Sequence, residues 1–145
     1  MESQNESKNS VFISPMLICP TDKRGEDRRA ASSPSYVINE YISYKVPESA
    51  RNINVVGATS KTFIMFDGAD ARDPATATDY CRSSAWFSQA NITAKKVLPQ
   101  IELDLQINRH GGSANYAYAD GHVELIGEET IAGYANSGFN FAKPQ

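Results

Sequence analysis

His110, Asp120 and His122 are residues whose types could carry chemistry at close spacing in this chain. A histidine beside a carboxylate can serve as a general-base pair, and the same side chains can hold a metal ion. A structural reading competes for them. Asp120 and Gly121 lie between two short runs of alternating residues. A hairpin turn there would let the Asp120 carboxylate accept from turn amides, while His110 hydrogen-bonds to the hairpin backbone or to Asp120. The structural reading is adopted, with metal binding and catalysis kept as alternatives.

A second group is acidic. Asp67, Asp70, Asp73 and Asp79 fall within thirteen residues, and a loop of carboxylates and backbone carbonyls can supply the six to eight oxygens that calcium prefers. The order is not that of an EF-hand, so solvated loop acids are the preferred reading. Cys19 and Cys81 are the two cysteines. They can pair, which would stabilise the fold by about 3–4 kcal/mol on the chain-entropy argument, or stand as separate buried thiols. Without a Cys-x-x-Cys there is neither a redox motif nor a cysteine zinc site. Gly-x-Ser-x-Gly, a Lys-bearing phosphate loop and His-Glu-x-x-His are also lacking, and the chain is not expected to be an enzyme.

The elements that must position these residues read as strand-rich. The stretch from Ser113 to Ile126 predicts two strands joined at Asp120-Gly121 by a type I′ turn. Tyr116 and Tyr118 share one face of the first strand, and Val123 and Leu125 one face of the second. Residues 36–45 predict a long strand or a bent pair, 47–51 a helical turn, and 53–56 a strand. Residues 62–66, with four consecutive apolar side chains, predict a central strand covered on both faces. Alternation of Ile101, Leu103, Leu105 and Ile107 predicts a strand over 97–107. Residues 67–79 predict an exposed loop, and 127–132 a short helix.

Three blocks in this order resemble a known family. His110, nine residues and Asp120-Gly121 resemble the C-terminal signature of bacterial prepilin-type proteins, relatives of type II secretion pseudopilins and type IV pilins. Cys19-Pro20-Thr21-Asp22 resembles the family's Cys-Pro-x-Asp segment, and Ser35-Tyr36-Val37-Ile38-Asn39 its Ser-Tyr-x-x-Asn strand. The resemblance covers about residues 17–126. It implies an α+β, mainly antiparallel sheet with short helices, the globular head of a pilin-like subunit. It gives His110, Asp120, Gly121, Cys19, Pro20, Asp22, Tyr36 and Asn39 structural roles. It also implies partners among other pilin-like subunits and the secretion machinery, an inner-membrane anchor with the domain in the periplasm or at the cell surface, and no catalysis. The related major pseudopilins hold calcium in a head loop, which puts Asp67, Asp70 and Asp73 forward as metal candidates beside His110 and Asp120, whose residue types could themselves hold a metal. An apolar helix of about 20 residues should precede such a head. Met1 to Ser10 is polar instead, so the chain is expected to be a soluble head cut from an anchored protein or a member that has lost its anchor.

Composition fits a small folded domain. The 145 residues are 41% hydrophobic and 21% charged, with a net charge of −3, which disfavours wholesale disorder and a nucleic-acid partner. Residues 1–12 are expected to be a disordered polar segment, and 13–145 one globular domain. The mixed-charge run 22–29 is read as a solvated loop. The favoured function is a structural subunit of a type II secretion or type IV pilus-like assembly. The alternative is an exported cell-surface module that binds a glycan or protein through aromatic residues such as Tyr36, Tyr44 and Trp86.

Overall fold

The computed structural model describes residues 13–145, so the expectation for residues 1–12 lies outside the described residues. Five strands form one sheet: β1 (Tyr36–Asn39), β2 (Phe63–Asp67), β3 (Tyr80–Cys81), β4 (Ser113–Tyr118) and β5 (Val123–Gly127), in the order β3-β1-β2-β4-β5. The pairs β1–β2, β2–β4 and β4–β5 are antiparallel, and the short β3 joins β1 in parallel. Short helices accompany the sheet: α1 (Gly25–Ala31), α2 (Glu40–Ser43), α3 (Ser83–Trp86), α4 (Gln89–Thr93), α5 (Val97–Asp104) and α6 (Glu128–Ser137). The architecture is the α+β sheet with short helices that the sequence predicts.

β2 is central, as its apolar run predicts, but the cover expected on both faces is met only on the inner one, since Met65 on the outer face is half-buried. Its partners flank it on both sides, and Phe63 and Phe66 turn into a core of Val37, Trp86, Ile101, Tyr116, Ile131 and Phe141. Neighbouring rings meet edge-on or tilted at centroid distances of 5.5–6.4 Å around Phe66 and Tyr116, the range in which aromatic pairs add to plain burial.

Four local predictions differ from the structure. Of the strand expected over 97–107, residues Val97–Asp104 form helix α5 instead, because Val97, Ile101 and Leu105 also repeat every four residues. Those three are buried, while Leu103, which fits only the strand period, is 57% exposed. Pro99 is tolerated because it sits in the first turn, where an N–H has no helical acceptor. The strand expected over 36–45 stops at Asn39, whose side chain accepts the Tyr41 N–H at 3.2 Å and caps α2. Residues 53–56 make a short 3-10 turn, Ile53–Val55, and 47–51 only a turn without helix.

The β4–β5 hairpin forms, but its turn is a different one. Gly121 N–H donates to Tyr118 O at 2.9 Å, and Tyr118 N–H to His122 O at 2.9 Å. Positive φ is confined to Gly121 (φ 93°) within the loop. This is a three-residue loop closed by a glycine bulge, not the two-residue type I′ turn.

The two faces of the sheet differ. The inner face, with Val37, Phe66, Ala114 and Tyr116, is packed. The outer face carries two rows set by the strand register. One runs Ile38, Met65, Ala117, Val123, and the other Tyr36, Asp67, Asn115, Leu125. Val123 and Leu125 are 59% and 61% exposed.

Candidate functional site

Asp67 is the last residue of β2 and points to the outer face, yet its side chain has no exposed surface. Three chain segments cover it. The loop after the 3-10 turn Pro15–Leu17 brings Cys19 and Thr21, β1 brings Tyr36, and the bend before β4 brings Arg109 and His110. His110 is fixed by its own backbone, whose N–H donates to Ser113 O at 2.8 Å across the Gly111-Gly112 bend.

At the centre is the imidazole of His110. Its Nε2 lies 3.3 Å from Asp67 Oδ2, 3.9 Å from Cys19 Sγ and 2.9 Å from Asn115 Nδ2. Its Nδ1 faces Thr21 Oγ1 at 3.3 Å, and that hydroxyl also meets Cys19 Sγ at 3.3 Å. The Asn115 backbone N–H donates to Asp67 Oδ2 at 2.8 Å. Asp67 Oδ1 is buried with no hydrogen-bond partner. Burial pushes the Asp67 carboxyl above its ordinary value, against the Asn115 N–H, His110 and Arg109, which pull it down. Burial, then Cys19 and Asp67 beside it, push the Tyr36 hydroxyl up as well.

Next to this cluster lies a densely ion-paired one, in which Asp22 is met on both oxygens while Arg109 Nε is buried without a hydrogen-bond partner. Arg28 Nε donates to Asp22 Oδ2, and its Nη2 to Ala69 O at 3.1 Å. Arg109 Nη1 approaches Asp22 Oδ1 at 3.4 Å, and its Nη2 lies 2.9 Å from Asp70 Oδ1. Burial pushes the Asp22 carboxyl up, but hydrogen bonds from Ser35, the Arg24 N–H and Arg28, with the charge of Arg109, outweigh it and hold the group below the usual carboxylate range. The mixed-charge run is therefore not simply a solvated loop. It forms α1, and the Arg28 side chain is 2% exposed.

The residues singled out in the sequence separate into distinct places. Cys19, Asp22, Tyr36, Asp67 and His110 gather at one end of the outer face, and Pro20 lies in the loop that delivers Cys19. Asn39 is in the core, where its amide donates to Phe63 O and Ala142 O and accepts from Ser83 Oγ and Tyr41 N–H. Asp120 does not meet His110, because β4 carries the chain about 20 Å away at roughly 3.3 Å per residue. It instead accepts from His122 N–H at 3.1 Å and pairs with the His122 ring.

Within the acidic loop, Asp70 turns to Arg109, and Asp73 accepts from Ala75 N–H and Thr76 Oγ1. The loop is exposed only in part, since Asp67, Gly68 and Ala69 are buried. Cys19 and Cys81 are separate buried thiols, and burial pushes Cys81 up to about 12. Of the aromatics named for a glycan face, Trp86 is core, Tyr44 stacks on Tyr80 and Tyr36 is part of the cluster around Asp67.

Sequence reasoning missed Cys19, Thr21 and Asn115 as neighbours of His110. The signal was present in part, since Asn115 alternates onto the face opposite Tyr116, but nothing local relates residue 19 to residue 110. Among the described residues, Cys19, Asp67 and His110 form the group whose ligand atoms lie within 4.8 Å of one another. Comparison with protein-family models, with curated proteins and with solved structures finds no match to this chain. Among the described residues no helix is long and apolar enough to cross a membrane.

Proposed function

We propose that this domain is the head of a pilin-like subunit of a type II secretion or type IV pilus-like assembly. Its outer sheet face takes an apolar helix, and its partners are other subunits of the same kind. The observation that carries the reading is the asymmetry of the sheet. The inner face is closed by helices and aromatic rings, whereas the outer face leaves Val123 and Leu125 59% and 61% exposed beside Ala117 and Met65. Tyr36, Met65, Asn115, Ala117 and Val123 line a depression of about 340 Å3 there. A sheet of this size ordinarily covers its apolar face.

The test is fractionation of the source cells with an antibody to this domain. The reading expects the protein in membranes or sheared surface filaments, and expects the doubly substituted Val123→Lys, Leu125→Lys protein to leave that fraction while folding normally. Recovery only as a freely dissolved protein, unaffected by those substitutions, would reject it and favour the exported binding module.

A further inference from the structure

Cys19 Sγ, His110 Nε2 and Asp67 Oδ2 come from three separate chain segments and converge on one point. We propose that they bind a divalent transition metal of the zinc class through three protein ligands, with a fourth position beside the Asn115 carboxamide. The proposal stands independently of the pilin-like reading.

Distances support it. In a tetrahedral zinc site with usual bond lengths, a sulfur and a nitrogen ligand are about 3.6 Å apart, and a nitrogen and an oxygen about 3.4 Å. The corresponding separations here are 3.9 Å and 3.3 Å. The outer partner of His110 fits as well. Thr21 Oγ1 at Nδ1 can accept that nitrogen's proton, which leaves Nε2 with its lone pair facing the cluster. Asp67 is oriented by the Asn115 N–H on one oxygen, while the other is buried with no partner.

A purely hydrogen-bonded cluster accounts for this poorly. The thiol, the carboxylate and the Asn115 amide all approach the same nitrogen, which can make one good hydrogen bond. A Cys-His-Asp nucleophile relay is also disfavoured, because it needs the thiol and the carboxylate on opposite ring nitrogens, and here both lie at Nε2. A cation at the point of convergence satisfies the thiolate, the carboxylate and the imidazole nitrogen together once the Asn115 NH2, a donor only, turns away from Nε2. Thiolate, carboxylate and neutral imidazole carry two negative charges, which balance a divalent ion once the Cys19 proton passes to solvent. Thiolate and imidazole donors select zinc-class ions over calcium or magnesium. The His110 side chain, 23% exposed, gives the access path.

The test uses the whole 145-residue chain, stripped with EDTA and titrated with Zn(II), and separately with Co(II) as a spectroscopic probe. Expected are one zinc ion per chain, a raised melting temperature, and a near-ultraviolet thiolate-to-Co(II) charge-transfer band with tetrahedral d–d intensity. Cys19→Ser should abolish the band, and His110→Gln the stoichiometric binding. Thr21→Val should weaken binding about tenfold or more, and His122→Ala, at an exposed imidazole, should change nothing. If Cys19→Ser does not fold, the Co(II) band of the unsubstituted chain decides. Failure of the unsubstituted chain to bind zinc stoichiometrically, a Co(II) spectrum without the thiolate band, or loss of binding in His122→Ala would each overturn the proposal.

Discussion

Asp22 and Asp67 flank the same Arg109-His110 pair, and neither side chain has exposed surface, yet their environments act in opposite directions. Asp22 meets two arginines, a serine and a backbone N–H, and is held below the usual carboxylate range. Asp67 has one oxygen held by Asn115 and His110 and the other unpartnered, and burial pushes it above its ordinary value. Burying a charge is tolerable when every lone pair is met and costly when one is not. The contrast separates two roles at one end of a sheet. Asp22 ties α1 and the Cys19 loop to the sheet, while Asp67 leaves Oδ1 unmet and holds Oδ2 within the Cys19–His110 cluster.

The largest effect should come from the paired side. Asp22→Ala leaves Arg28 buried without its carboxylate and should cost about 3–5 kcal/mol in urea unfolding. Gly68→Ala comes next. A Cβ there would stand 2.9 Å from Ser35 O and 3.1 Å from Val37 Cγ1. The change should therefore cost about 1–3 kcal/mol and displace Asp67, the residue before it. Gly121→Val meets open space, so only the backbone strain at φ 93° counts against it, about 1–2 kcal/mol in the same assay. The paired Val123→Lys, Leu125→Lys change should move stability by no more than about 0.5 kcal/mol, because both side chains already face solvent.

The two carboxylates also predict opposite pH behaviour. Asp22, depressed in the folded state, contributes stability that is present above its unfolded value and lost as pH falls through its folded value. Asp67, raised in the folded state, contributes stability that is present below its unfolded value and lost as pH rises through its folded value. Asp67→Asn should therefore gain on the unsubstituted protein as pH rises from about 4 to about 7 in EDTA, whereas the deficit of Asp22→Asn should be nearly constant over that interval and shrink as pH falls below about 4. Urea midpoints at neutral pH, near pH 4 and below it check both.

Legibility in the sequence followed the range of the interaction. The hairpin was readable because Asp120, Gly121 and the alternation of Tyr116 and Tyr118 are local, although the number of turn residues was not. β2 was readable as a central strand from its unbroken apolar run, but the cover expected on both faces is present only on the inner one, and Met65 on the outer face is half-buried. α5 was misread because Ile101 and Leu105 satisfy both a period of two and a period near four, and tertiary packing chose between them. The site was legible only in pieces. Cys19, Tyr36 and His110 stood out in separate blocks, and it takes the β1–β2–β4 register to place Tyr36, Asp67 and Asn115 in one row beneath His110. Arg28 reads as a solvated charge in the sequence because its partner Asp22 looks like any other member of a mixed-charge run.

Equilibrium urea unfolding of Asp22→Asn and Asp67→Asn, side by side at neutral pH in EDTA, tests the contrast most directly. The expected result is a loss of about 3 kcal/mol or more for Asp22→Asn and a change within about 1 kcal/mol, or a gain, for Asp67→Asn. Equal losses at the two positions would show that Asp67 is as fully paired in the metal-free protein as Asp22, and would contradict the account.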